Sequence, residues 1–158
     1  MQRLIVIFCF FLVQFDARSQ DSLANSIQST ILDSSKAKRL LDQCSRATPQ
    51  NISGYWNPSE NDKVELERNF SKLEHKQNNF KLKNYAYQYI GVIIKEEKFI
   101  YINAFSKQVF ENYDKSETKW ESEPIVFCDG GSAFWGVLFN IKKLDFSEQV
   151  FGKSKGAQ

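Results

Sequence analysis

The sequence has few of the residues from which catalytic and metal sites are usually built. Among its 158 residues, histidine occurs once, as His75, and cysteine three times. A nucleophilic cysteine needs a base beside it, and a metal needs several ligands at short, regular spacings. No such set stands out along the chain, so we predict neither a metal site nor a cofactor.

A strong excess of charge of one sign is also lacking. Lysine and arginine number 21 against 19 aspartates and glutamates, which gives a formal net charge of +2. Binding to nucleic acid or to an acidic membrane surface depends on a basic excess. The composition therefore predicts no nucleic-acid partner.

Only one long apolar run occurs, LIVIFCFFLVQF at residues 4–15. At about 12 residues it is shorter than the roughly 20 that a transmembrane helix needs. Ala17 and Ser19 are small residues where a signal peptidase requires them, so residues 1–19 are predicted to form a signal peptide cleaved after Ser19. We expect an exported protein, periplasmic or secreted, with no membrane span.

Cleavage after Ser19 would leave two cysteines, Cys44 and Cys128. An even pair in an oxidising compartment suggests a disulfide. The alternative is two reduced thiols that pack as small apolar groups. A further hypothesis makes Cys128 a nucleophile, with Asp129 beside it and His75 as the base.

The pattern of apolar residues divides the rest of the chain into three parts. Residues 20–43 carry Leu23, Ile27 and Ile31 at a spacing of four, which predicts a helical arm or linker. Residues 44–152 are expected to form a single α+β domain, and residues 153–158 a disordered tail.

Within the predicted domain, residues 44–58 indicate a loop or short extended structure, and residues 60–76 one long helix. Ser59 and Asp62 have the spacing of a capping box at the start of that helix. Alternating apolar residues then predict five strands, at 85–94, 99–105, 124–129, 133–140 and 145–152. The expected fold is a curved antiparallel sheet packed on the helix, cystatin-like or NTF2-like in general architecture.

The stretch FCDGGSAFWGVLF, residues 127–139, allows two interpretations. Asp129-Gly130-Gly131-Ser132 has the composition of a tight turn between two strands, because glycine adopts positive φ at little cost. The other interpretation is an active-site loop around Cys128 and Asp129. The apolar flanks favour the turn.

Aromatic and amide side chains on the predicted sheet supply candidate ligand contacts. With a loop at 95–98, strands 85–94 and 99–105 are expected to form a hairpin whose tyrosines lie on common faces. A tyrosine-rich face can line a concave pocket and offer hydroxyl donors. The candidates are Tyr87, Tyr89, Tyr101, Asn103 and Trp135. The alternative is that these residues simply form the core.

Three segments resemble an uncharacterised family of small exported bacterial proteins of the Bacteroidetes type. They are CSRATPQNISGYWNPSENDKVELE at 44–67, YQYIGVIIKEEKFIYINAF at 87–105 and EPIVFCDGGSAFWGVLFN at 123–140. The resemblance implies an exported domain in which the three segments form one unit. It implies no activity, cofactor or catalytic residue.

The sequence as a whole favours a non-enzymatic, exported binding domain for a protein, a peptide or a small ligand. Two alternatives stay open. One is a cysteine- or aspartate-dependent hydrolase that uses Cys128, Asp129 and His75. The other is an inhibitor of a periplasmic enzyme that presents residues 106–123 or a hairpin loop.

Overall fold

A computed structural model describes residues 27–74, 81–108, 119–147 and 150–151 of the chain. Its strands are β1 (Gln28–Ile31), β2 (Ile52–Trp56), β3 (Tyr85–Ile94), β4 (Glu97–Ser106), β5 (Phe134–Asn140), β6 (Asp145–Phe146) and β7 (Val150–Phe151). Its α-helices are α1 (Ala37–Leu41), α2 (Glu60–Arg68) and α3 (Ser71–Glu74). The mixture confirms the predicted α+β class.

The strands form one open sheet around a long hairpin of β3 and β4. β4 also pairs with β5, and both pairings are antiparallel. β1, which is parallel, and β2, which is antiparallel, share the other edge of β3. β6 and β7 both pair with β5 and occupy the range predicted as one strand, 145–152.

The β3–β4 turn is shorter than predicted. It consists of Lys95 and Glu96 alone, with φ of 49° and 64°. Two central residues with positive φ are the mark of a type I′ turn, whose twist suits a two-residue hairpin. Ile94 therefore lies opposite Glu97, rather than opposite Phe99 as a loop at 95–98 would require.

This register separates the tyrosines that were expected on common faces. Tyr89 lies opposite Ile102, whereas Tyr101 lies opposite Ile90. Because side chains alternate along a strand, Tyr89 and Tyr101 occupy opposite faces of the sheet. Tyr87 shares the face of Tyr89, and Asn103 shares the face of Tyr101.

The predicted helix at 60–76 is divided within the described residues. It begins as predicted, because Ser59 Oγ accepts a hydrogen bond from Asp62 N at 3.2 Å and Asp62 Oδ2 accepts one from Ser59 N at 2.8 Å. The capping box is thus confirmed. A turn at residues 69–70 separates α2 from α3, and Asn69 Nδ2 donates to the carbonyl oxygen of Glu65 at 2.8 Å. Such a side-chain bond to the backbone competes with regular helix geometry.

The predicted helical arm at 20–43 is a strand and a short helix where the structure describes it. Ile27 and Ile31 are an even number of residues apart, so their spacing fits a strand as well as a helix. Parallel pairing with β3 gives residues 28–31 backbone hydrogen-bond partners along one edge of β1. Leu32, Ala37 and Leu40 are buried, so this segment packs against the domain.

Residues 52–56, within the segment predicted as loop or short extended structure, form β2. Trp56 packs on Gly91 of β3, where a Cβ atom would lie 2.6 Å from the indole ring. The indole Nε1 donates to the carbonyl oxygens of Val92 and Phe99 at 3.3 and 3.2 Å. The absence of a side chain at Gly91 therefore permits this close approach.

The two faces of the sheet are covered differently. On one, here called the helix face, side chains of α2 and α3 and the turn between them pack on the sheet, including Leu66, Phe70 and Leu73. The other is covered by α1 and by residues 119–127, called here the strap. We call this second face of the sheet the strap face.

Residues 124–129, predicted as a strand, lie in the second half of the strap and the two residues after it, but no strand forms there. Both edges of β4 are taken, by β3 and by β5, so this segment has no place beside β4 in the sheet. It crosses the sheet surface instead. The hairpin predicted at Asp129–Ser132 is accordingly absent: Gly130 precedes a short 3₁₀ turn at Gly131–Ala133, and Gly131 has φ of 52°.

Candidate functional site

Two buried amides on the strap face hold the strap in place. Gln88 and Asn103 lie opposite each other on β3 and β4 and are 0% and 1% exposed. Gln88 Nε2 donates to the carbonyl oxygens of Trp120 and Glu123 at 2.6 and 2.7 Å. Gln88 Oε1 accepts from Ile125 N and from Asn103 Nδ2 at 2.9 and 3.0 Å. These side chains replace the strand partner that the strap lacks.

Arg46 extends this network below the surface. Its guanidinium donates through Nη2 to Asn103 Oδ1, and through Nε to the Tyr101 hydroxyl at 3.3 Å. The residue is only 6% exposed. Its third nitrogen, Nη1, has no hydrogen-bond partner within the described part of the chain. An arginine stays charged in proteins, so a positive charge is buried here with neutral partners.

The neighbours of Arg46 carry further unused hydrogen-bonding capacity. Gln43 Oε1 and Ser45 Oγ are buried and have no hydrogen-bond partner among the described residues. All three residues belong to the segment that follows α1 and surrounds Cys44. Buried polar atoms are usually paired. Three unpaired ones close together in the sequence therefore make this segment a candidate binding site.

Tyr101 joins the polar network to a cavity. Its ring lies against Gly136 of β5, where a Cβ atom would come within 2.4 Å of the tyrosine oxygen. Burial raises the pKa of the Tyr101 hydroxyl, and the charge of Arg46 opposes that rise. The hydroxyl is therefore protonated at neutral pH. It accepts from Arg46 and retains its own proton for a second hydrogen bond.

The cavity lies between the loop that follows Arg46 and the strap face of β4 and β5. Its volume is about 140 Å³, and it is partly open to solvent. Its walls are Ala47, Thr48, Pro49, Tyr101, Gly136, Val137, Leu138 and Ser147. A protein cavity of about 150 Å³ can hold benzene, so this one suits a group of that size.

The structure divides the predicted ligand contacts into two sets. Tyr87, Tyr89 and Trp135 are fully buried on the helix face. The rings of Tyr87 and Phe70 lie 5.1 Å apart, and those of Tyr87 and Trp135 5.9 Å apart. These three form core and cannot touch a ligand in this structure. Tyr101 and Asn103, on the strap face, belong to the site.

The predicted disulfide is present between Cys44 and Cys128. Both cysteines are exposed. In this form Cys128 has no thiol and cannot act as a nucleophile. Asp129 is exposed, and His75 lies outside the described residues. Within those residues, no group of three or more histidines, cysteines and carboxylates is placed to hold a metal ion.

Glu67 is another buried polar residue that the sequence analysis did not identify. It lies on the helix face, away from the cavity, and its Oε1 accepts from Ser29 Oγ at 2.6 Å and from the Tyr89 hydroxyl at 3.1 Å. Burial raises the pKa of its carboxyl group, against the lowering effect of these bonds. Glu67 thus connects α2 to β1 and β3.

Comparison of the chain with protein-family models, curated proteins and solved structures finds no match in any of the three. No helix within residues 27–74, 81–108, 119–147 and 150–151 is long and apolar enough to cross a membrane. Because none of the three comparisons finds a match, the function of the site is inferred from the geometry described above.

Proposed function

We propose that the chain is an exported, disulfide-stabilised domain that binds a small organic ligand, or one end of a peptide, in the cavity beside Tyr101. The observation that carries this proposal is the position of the Tyr101 side chain. It forms part of the cavity wall, and its hydroxyl bonds to the buried Arg46. An apolar pocket with a few convergent polar groups is the usual form of a ligand site.

Export is supported by three features. Residues 1–19 have the composition of a signal peptide, the Cys44–Cys128 disulfide suits an oxidising compartment, and three segments resemble small exported bacterial proteins. The cystatin-like or NTF2-like architecture also belongs to this proposal. It rests on the packing of α2 and α3 against one face of the sheet.

The hydrolase alternative has less support, because its nucleophile Cys128 is bonded to Cys44. The inhibitor alternative relies on residues 106–123, of which 109–118 lie outside the described residues. Its other candidate surface, the exposed turn at Lys95 and Glu96, carries no feature that favours a partner. Binding in the cavity is the function that the described geometry favours.

A fragment screen by ligand-detected NMR tests this proposal, with benzene-sized probes chosen for the cavity volume. The blocking variant is Ala47→Trp, because Ala47 is exposed and lines the cavity. Its matched control is Val64→Trp, on α2 at the opposite side of the sheet, where Val64 is 43% exposed. Fragments that bind in the cavity should bind the wild type and Val64→Trp but not Ala47→Trp. Equal binding to all three proteins would refute the proposed site.

A further inference from the structure

We propose that the ligand of this cavity carries a carboxylate, which Arg46 Nη1 and the Tyr101 hydroxyl bind together. This inference rests on the proposed function and adds the chemical class of the ligand. The same carboxylate could belong to a free organic acid or to the C-terminus of a peptide, and the two sources can be separated by experiment.

The buried charge of Arg46 favours an anionic ligand. Arg46 is buried and forms no ion pair with any described residue; its partners are the neutral Tyr101 hydroxyl and Asn103 amide. A buried charge is normally paired, because neutral dipoles replace its lost hydration incompletely. The site is thus short of one negative charge. A carboxylate supplies that charge and can accept more than one hydrogen bond.

Arg46 and Tyr101 have hydrogen-bond donors that a carboxylate could use. Arg46 Nε and Nη2 are occupied, which leaves Nη1 unbonded. The Tyr101 hydroxyl oxygen accepts a hydrogen bond from Arg46 Nε. Among the described residues, its own proton has no acceptor. The two N–H groups of Nη1 and the Tyr101 hydroxyl are therefore available to the two oxygens of a carboxylate. Neutral ligands with a single acceptor would leave one donor unused.

The position and volume of the cavity limit the shape of the ligand. Nη1 is shielded from solvent, and Arg46 does not itself line the cavity, whereas its partner Tyr101 and its neighbour Ala47 do. In the proposed complex the carboxylate therefore displaces part of the loop at 47–49 to reach Nη1 from the cavity. The cavity, at about 140 Å³, accommodates one ring or one branched aliphatic side chain. The ligand is then an acid whose apolar body lies against Leu138 and whose carboxylate points towards Arg46.

Matched acids and amides test this directly. The first pair of probes is benzoate and benzamide, which differ in charge and little in size. The second pair is N-acetyl-leucine and N-acetyl-leucinamide, in which the acid resembles a peptide C-terminus. Titration monitored by ¹H–¹⁵N chemical shifts of the folded, oxidised protein measures each affinity. We expect at least one acid to bind ten-fold or more tightly than its amide, and the pair that shows the preference identifies the source.

Variants connect that preference to Arg46. In Arg46→Met the acid should bind no more tightly than the amide, because the charge is lost while the chain length is similar. The control, Arg68→Met, removes an exposed arginine of α2 and should keep the full preference. Tyr101→Phe should weaken the acid several-fold and affect the amide less, because it removes one donor.

The outcomes separate the inference from the function on which it rests. If an amide binds as tightly as its acid and Ala47→Trp abolishes both, the cavity binds ligands and the carboxylate proposal is wrong. If no probe binds in the cavity, both proposals are wrong. Should Arg46→Met fail to fold, the acid–amide comparison on the wild type and on Tyr101→Phe still decides. An unchanged preference in a folded Arg46→Met protein would also overturn the assignment.

Discussion

Reduction of the Cys44–Cys128 disulfide should destabilise the domain strongly without unfolding it at room temperature. The bond closes a loop of 84 residues between the end of α1 and the end of the strap. The chain-entropy model gives about 4.6 kcal/mol at 25 °C for a loop of that length. For a domain of this size that corresponds to a fall in Tm of about 15–20 °C.

The reduced protein should keep its fold, because the elements joined by the disulfide are also held in other ways. Gln88 and Asn103 bind the strap through buried hydrogen bonds. Glu123 in the strap forms ion pairs with Lys36 and Arg39 at 2.7 and 2.9 Å. These pairs are partly exposed and contribute little, whereas the buried amides contribute more.

Urea unfolding of the oxidised and reduced wild type measures the effect. The double variant Cys44→Ser/Cys128→Ser is the control, since it should match the reduced protein and should not respond to reductant. Both cysteines are exposed, so reductant can reach the bond in the folded state. Equal stability of the oxidised and reduced proteins would refute the loop argument. Two free thiols in the native protein, detected by alkylation and intact mass, would refute the pairing itself.

Three other predictions concern single residues. Ser59→Ala should lower the free energy of unfolding by about 0.5–2 kcal/mol, because it removes the acceptor for Asp62 N. Ser59→Asp keeps an acceptor and should retain most of the wild-type stability; urea unfolding measures both variants. Gly136→Ala should cost about 1–3 kcal/mol through overlap with the Tyr101 hydroxyl; equal urea midpoints would contradict the close contact. Burial raises the pKa of Glu67 in the folded state above 4.5. The contribution of Glu67 to the free energy of unfolding should therefore fall as pH rises from 4.5 through the folded pKa. Glu67→Gln should lack this pH dependence, and identical pH–stability profiles of the wild type and the variant would refute the prediction.

The parts of the fold that the sequence predicts well have strong local signals. The alternation of residues 85–94 defines β3, and the Ser59–Asp62 pair defines the start of α2, because both depend on neighbours a few residues away. The register of the hairpin is different. Lys95 and Glu96 are not typical of a type I′ turn, so nothing local indicates that the loop is two residues long.

The strap shows where local patterns fail. Residues 124–127 have the apolar composition of a strand, but a strand also needs a free edge, and β4 has none. Arg46 is a similar case, since it lies in a polar segment typical of exposed loops. Its burial depends on Tyr101, 55 residues further along the chain. Only the tertiary arrangement brings those groups together.

The arrangement also implies that ligand binding and the strap are linked. Asn103 accepts from Arg46 and donates to Gln88 and to the carbonyl oxygen of Ile125, so one side chain connects the site to the strap. Cys44, two residues before Arg46, is bonded to Cys128 just beyond the strap. A ligand that binds only the ordered site must stabilise the folded state by mass action. The disulfide, by holding the Arg46 segment against the strap, lowers the entropy that a ligand would otherwise lose in ordering it.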